Sequence, residues 1–298
     1  MIIEQILAST LVLTTPILLA AMGGLINRAA GIVNIALEPK ILAGAFVAII
    51  VSSVTGSWML AALAAAFAGA FIGWLFSLSV TRLRADMIVA GLGLNFLVAG
   101  LLGFILSWSF NSSGTLRMPD VVLLPKVLPE SVSSVPIFGP TLAQLEPITF
   151  FAWVVVSVMP FFLTQTRFGL HLRATGNAPQ VADAMGLASR TIQDISTAIA
   201  GFLSGLGGAH LALASIGLFN EGLSAGRGFI ALAAFYFGRN RPVATALVCL
   251  LFGFLDATQI RMQTAGLPPK LVGTIPYVMV ILALCAAGWH AKRKEQVT

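Results

Sequence analysis

The sequence predicts an all-α fold, a polytopic membrane helix bundle with an internal repeat. Three observations lead there. Of the 298 residues, 58% are hydrophobic and only 9% are charged, against about 25% charged residues in soluble domains. The charges are also clumped, with none in 5–27, 41–81, 87–116, 147–166, 195–220, 242–255 or 271–291. A bilayer core of about 30 Å takes about 20 apolar residues per helix, so runs of this length are natural spans. Finally, the runs are blocks of Leu, Ala, Val, Gly and Phe, without the period-two alternation of a membrane β-barrel.

Nine spans are expected, at 5–27, 30–53, 58–80, 87–110, 147–166, 195–216, 222–238, 242–260 and 271–290. The first starts directly after Met1–Glu4, with no basic segment and no small-residue cleavage motif, so it reads as a span rather than a removable signal segment. The second carries Glu38, Pro39 and Lys40 close to its start, and the seventh is short, so either suits a broken or re-entrant helix. Lys and Arg are retained on the cytoplasmic side of short loops. Arg82, Arg84, Arg167, Arg173, Arg190, Arg239, Arg241, Lys292, Arg293 and Lys294 fall on one side of these spans; Arg117, Lys126, Arg227, Arg261 and Lys270 fall on the other. An external N-terminus and a cytoplasmic C-terminus follow. Between them lie a Pro-rich external loop at 111–146 and a polar cytoplasmic loop at 167–194. Basic loops facing anionic lipid account for the net charge of +6, and no nucleic-acid partner is expected.

A shift of 184 residues lays Leu19, Gly23, Gly24, Ala30, Ile32, Gly44 and Gly69 on Leu203, Gly207, Gly208, Ala214, Ile216, Gly228 and Gly253. Span starts 58 and 87 fall on 242 and 271 under the same shift. The chain therefore reads as one transmembrane domain over 1–298. A first repeat at about 5–110 leads through the external loop and a connecting segment at 147–194 to a second repeat at about 195–290. An odd number of spans between the halves would invert them, a transporter architecture with its solute path near the midplane.

Ionisable and amide side chains at membrane depth are costly and mark pathways or partners. On that ground Asn34, Glu38, Asn95 and Glu221 are candidate path residues, and Glu38, Glu221 and Asp256 are the only candidates for the ionisable relays a coupled carrier would need. The bland alternatives are that Glu38 pairs with Lys40 or Arg28 at an interface and that Asn95 makes a packing hydrogen bond. In the cytoplasmic loop, Asn177 followed by Gln180 has capping-box spacing, Pro179 sits in a first turn, and Gly186 suits a C-terminal cap. A short helix at about 178–185 is expected outside the membrane, with one acid, Asp183, and exposed Ala and Val faces. It suits docking to a protein partner, although an ordinary interfacial helix would look similar. Gly91 and Gly93 lie inside an apolar span, where helix packing rather than phosphate binding is expected. Cys249 and Cys285 lie in apolar runs. With His171, His210 and His290 they give no metal-ligand spacing, and no catalytic constellation or phosphate loop is present, so neither enzyme activity nor a cofactor is expected.

Three separated stretches then resemble one family. Thr15 to Ala21, Gly23, Gly24 and Gly31 to Glu38 resemble the "TPLLLAALGG…GVVNIGLEG" opening of bacterial ABC-importer permeases, in the branch holding nucleoside, simple-sugar and branched-chain amino acid permeases. Arg173, Gly176, Asn177, Pro179, Asp183 and Gly186 are similar to its cytoplasmic coupling segment. Glu221 to Ala233, followed by Phe237, Gly238 and Arg239, is similar to its "EGMTAGRGFIALAA…FGR" stretch. Two departures stand out: Pro39 and Lys40 replace the Gly that follows Leu-Glu, and Gly-x-Asn-Pro becomes Gly176, Asn177, Ala178, Pro179. The resemblance implies a translocation subunit in the bacterial inner membrane for a polar small molecule. It further implies a cytoplasmic ABC ATPase that binds ATP and contacts 174–190, a second permease subunit, and an external solute-binding protein. A nucleoside or simple sugar is the expected solute. The alternatives are a branched-chain amino acid within the class and an ion- or proton-coupled secondary transporter outside it.

Overall fold

The computed structural model describes residues 2–112, 114–127, 145–214, 217–264 and 278. The long helices are α1 (Ile2–Ala29), α2 (Leu37–Thr55), α3 (Trp58–Ser77, continuing as a π-turn over Leu78–Arg82), α4 (Met87–Phe110), α5 (Pro147–Gln165), α8 (Ser189–Leu213) and α10 (Pro242–Thr264). These seven are long and apolar enough to cross a membrane. Two shorter helices, α6 (Arg167–Asn177) and α7 (Pro179–Ala184), lie between α5 and α8, and α9 (Arg227–Phe237) precedes α10. A two-residue antiparallel ribbon pairs β1 (Thr115–Leu116) with β2 (Phe219–Asn220). The expected span at 271–290, with Cys285 and His290, and the prolines at 129, 136 and 140 lie outside the described residues.

α1, α2 and α8 make the centre of the bundle and α4 its periphery. Small residues set the central packing, because between helices in lipid only close backbone approach adds van der Waals contact. α3 turns Ala61, Ala62, Ala65, Ala66, Gly69 and Gly73 inward. A Cβ on Gly69 would sit 2.2 Å from the Gly201 carbonyl, one on Gly73 would sit 2.3 Å from that of Thr197, and one on Gly205 would sit 2.2 Å from that of Ala65. The order of these contacts makes α3 and α8 antiparallel. α1 crosses α8 in the same sense: a Cβ on Gly23 would meet the Ala200 carbonyl at 2.8 Å, and one on Gly207 the Pro16 carbonyl at 3.1 Å. The second contact is the first with partners exchanged and both positions moved by 184 residues.

Three span starts differ from expectation by five residues or more, each for local reasons. The sixth begins at Ser189 rather than 195, where the Asp183 carboxylate accepts the Ser189 N–H. The second span begins at Leu37 rather than 30, because Gly31 turns at φ +81° and the Asn34 side chain closes a turn by accepting the Ala36 N–H at 3.1 Å. Pro39 then falls in the first helical turn, where the missing N–H costs no helical hydrogen bond. The seventh span begins at Arg227 rather than 222, after a turn that puts Ala225 and Gly226 at positive φ.

Between the fifth and sixth spans the chain is helical for longer than expected. α6 fills the part read as polar loop, capped by Thr166, whose hydroxyl accepts the Gly169 N–H at 3.0 Å. Asn177 is thus the last residue of α6, and the N-cap of α7 is Ala178 without a side-chain hydrogen bond. The anticipated Asn177–Gln180 capping box does not form, because Asn177 is already committed to the preceding helix. The expectation at the other end holds. Gly186 has φ +84°, its N–H donates to the Asp183 carbonyl and that of Leu187 to Ala182, which is a Schellman closure.

Candidate solute path and coupling segment

α2 and α9 both start inside the bundle, and their N-termini meet at Glu38. One carboxylate oxygen accepts the Gly226 N–H at 2.8 Å and the other accepts the Gly228 N–H at 2.6 Å. Glu38 thereby satisfies orphan donors of a helix to which it does not belong, and its charge opposes the positive helix end. A Cβ on Gly228 would lie 2.3 Å from the Glu38 backbone nitrogen, so the approach requires glycine. The pairing with Lys40 or Arg28 that the sequence left open does not form. Arg28 lies over the Tyr236 ring, and residues two apart on a helix do not face one another.

Asn34 is fully buried and fully engaged. Its amide donates to Asn27 Oδ1 at 2.5 Å, and Asn27 in turn donates to Ser196 and Thr197 hydroxyls at 3.3 Å each. Asn95 differs: both its amide atoms are buried with no hydrogen-bond partner among the described residues. It shares the inward face of α4 with Gly91 and Val98, and Gly91 packs against Ile35, while a Cβ on Gly93 would meet open space. Glu221 is exposed beside the ribbon. Its N–H donates to Gly114, and a Cβ on Gly103 of α4 would lie 3.2 Å from its carboxylate. Asp256 pairs with Arg227 at 3.6 Å, fastening the start of α9 to α10.

The coupling candidates gather at the opposite end from the ribbon. Gly176 is pressed on the end of α1, where a Cβ would sit 2.2 Å from the Ala29 carbonyl and 2.8 Å from the Gly31 nitrogen. Gln193 of α8 donates to the Ala30 carbonyl at 3.2 Å, closing the same corner. Asp183 is exposed, and its carboxylate accepts the Ser189 N–H at 3.0 Å, capping α8. That hydrogen bond, with help from Arg190, holds its pKa below the ordinary carboxylate value. Arg173, Asn177 and Pro179 are exposed, and Arg173 reaches back to the Thr164 carbonyl at 3.4 Å. The C-terminal end of α6 thus rests on the turn that leads to Asn34 and Glu38.

Several residues in these networks escaped the sequence reading. Asn27, Ser196, Thr197 and Gln193 are ordinary polar residues near span ends, and only folding brings them together. His210 looked isolated, yet its Nε2 lies 2.9 Å from Glu146 and 3.1 Å from the Thr149 hydroxyl, itself bonded to Thr15, in a buried cluster towards the ribbon end. Gly226 and Gly228 were legible as a motif, but not as donors to Glu38.

Residues 6–284 match the family described as branched-chain amino acid transport system / permease component. The chain belongs to this permease family. Among its relatives, this permease is 32% identical to the nucleoside ABC transporter permease protein NupC of Lactococcus lactis subsp. cremoris (strain MG1363), over 95% of its own length and 92% of NupC. It is 31% identical to the guanosine ABC transporter permease protein NupQ of Bacillus subtilis (strain 168), over 95% and 92% of the two chains. With the glucose ABC transporter permease protein TsgB13 of Haloferax volcanii it shares 27% identity, over 93% and 76%. No solved structure matches it. The permease is a multi-pass membrane protein, as its composition required.

Proposed function

We propose that this permease is the membrane-spanning translocation subunit of an ATP-driven ABC importer for a nucleoside or simple sugar. The observation that carries the reading is the meeting of two interrupted helices, α2 and α9, at Glu38 within the bundle. Helix N-termini and irregular backbone are tolerated at such depth where they line a protein-walled path. The near full-length identity to NupC and NupQ favours a nucleoside among the polar solutes. The reciprocal, antiparallel contacts of α1 and α8 support an inverted repeat around that path.

In this reading the ATP is bound by a separate cytoplasmic ATPase. It docks on α6 and α7 through Arg173, Gly176, Asn177, Pro179, Asp183 and Gly186, and pushes on the turn at Gly31. The exposed apolar face of α4, with Phe96, Leu97, Phe104 and Trp108, is available to a second permease subunit and lipid. An external solute-binding protein delivers solute from the ribbon side.

The test is uptake into proteoliposomes holding the permease with its ATPase, second-permease and binding-protein partners. ATP-dependent uptake of guanosine or glucose, and not of leucine, is the expected result. Leucine uptake would move the reading to a branched-chain amino acid, and uptake driven by a proton or sodium gradient without the ATPase would overturn it.

A further inference from the structure

Lys40, one turn into α2, is fully buried, and its Nζ has no hydrogen-bond partner among the described residues. Among the described residues, the group of opposite electrostatic character beside it is the Phe76 ring, whose centroid lies 5.3 Å away. A ring face compensates an ammonium only in part, and a charge inside a membrane bundle ordinarily marks a path or a partner. The acids of α2 and of α8, which packs against it, are committed elsewhere. Glu38 caps α9, and Asp194 accepts hydrogen bonds from Ser77 and Thr81 at 2.5 and 3.0 Å while pairing with Arg82 at 3.4 Å.

The surroundings supply a second, independent sign. Phe76 belongs to an apolar cluster with Ile32, Ala36, Met87 and Leu94, and the Met87 sulfur already accepts the Val33 N–H at 3.4 Å. Next to Leu94 stands Asn95, whose amide is likewise buried and unpartnered. α2 and α4 run in the same direction, and Gly91 touches Ile35 and Ala36. One turn further along each helix brings Asn95 level with Pro39 and Lys40. A cavity of about 370 Å³ lined by Val33, Ala85, Asp86, Met87 and Ile88 borders the cluster through Met87, with the Asp86 carboxylate occupied in capping α4.

We infer that Lys40 and Asn95 form an anion-reading point of the solute path, so that the path favours a nucleoside or sugar derivative carrying one delocalised negative charge over its neutral counterpart. A planar anion satisfies both groups at once: its oxygens take the ammonium, and the adjoining ring or hydroxyl edge takes the amide. A sugar acid and the ionised ring amide of an acidic purine nucleoside share this chemistry. The inference rests on the importer reading and narrows its solute class.

Two matched pairs test it in the reconstituted importer: xanthosine against guanosine, and glucuronate against glucose. With one binding protein throughout, replacing Lys40 removes a charge-assisted contact available to the anion alone. Lys40→Met should therefore lower the anion-to-neutral uptake ratio by about 10- to 100-fold in the pair that is transported. Lys40→Arg should keep most of it. The pair that responds tells a nucleoside from a sugar acid. A ratio within about twofold of the original in Lys40→Met would overturn the inference.

Thermal unfolding of the purified unaltered permease with each solute provides an arm that needs no variant to fold. The anionic member should stabilise it more than its neutral match, and equal shifts would refute the role of Lys40. Absence of ATP-driven uptake of all four solutes would sink the importer reading itself, and the thermal arm would still decide on Lys40.

Discussion

Replacing Glu38 by Gln keeps the size of the side chain and changes one oxygen into an NH₂ group. Both oxygens now receive backbone N–H groups, from Gly226 at 2.8 Å and Gly228 at 2.6 Å. The amide can accept only one of them and turns a donor towards the other. One charge-assisted hydrogen bond, worth about 1.5–3 kcal/mol, is lost, and a half-buried N–H is left unpaired at about 1–3 kcal/mol more. Allowing for water at this half-buried site, Glu38→Gln should destabilise the permease by about 2–4 kcal/mol. The start of α9 is where that loss falls. The assay is thermal unfolding of the purified protein in detergent, followed by size-exclusion monodispersity, beside hydrogen exchange of 226–232. Faster exchange there and a lower Tm are expected, with reduced uptake as a consequence. A variant with unchanged Tm and exchange but abolished uptake would refute the capping role and return Glu38 to direct solute contact.

Other outcomes follow from the same geometry. Gly201→Val should break the α3–α8 crossing, where a Cβ would already lie 2.1 Å from the Gly69 carbonyl, and should yield aggregated protein in detergent; a monodisperse peak would contradict it. Gly186→Val opposes a φ of +84° at a cost of about 1 kcal/mol or more, so transport should fall while membrane levels stay normal. For Asp183 the folded pKa is depressed, so its stabilisation of the α8 start is complete above the unfolded value of about 4 and fades as pH falls through the folded value. Hydrogen exchange at 189–193, corrected for intrinsic rate, should rise on acidification in the unaltered protein and be pH-independent in Asp183→Asn. Membrane-impermeant labelling should reach a Cys placed at Asp120 and not one at Gln180, and the reverse would invert the proposed topology.

Much of the bundle was legible because lipid imposes a one-dimensional rule. An uninterrupted apolar run must satisfy its own backbone, so length and charge spacing located α1, α3, α4, α5, α8 and α10 to within a few residues at most boundaries. Gly186 was also readable, since a left-handed cap has few alternatives to glycine. α6 was not, because an amphipathic interfacial helix has the composition of a polar loop, and the Thr166 cap is a weak signal alone.

The sequence by itself determined that this chain lives in a membrane, where its helices run, and that Asn34, Glu38 and Asn95 sit where polar groups are costly. It could not say which of them are spent on the fold. Glu38 and Asn34 proved to be occupied, by the N–H groups of Gly226 and Gly228 and by Asn27, while Lys40 and Asn95 were left without partners among the described residues. Hydrogen-bond satisfaction depends on donors some 190 positions away in the chain. Only the antiparallel packing of α1 and α8 on glycine, which brings the start of α9 onto that of α2, decides where those donors stand.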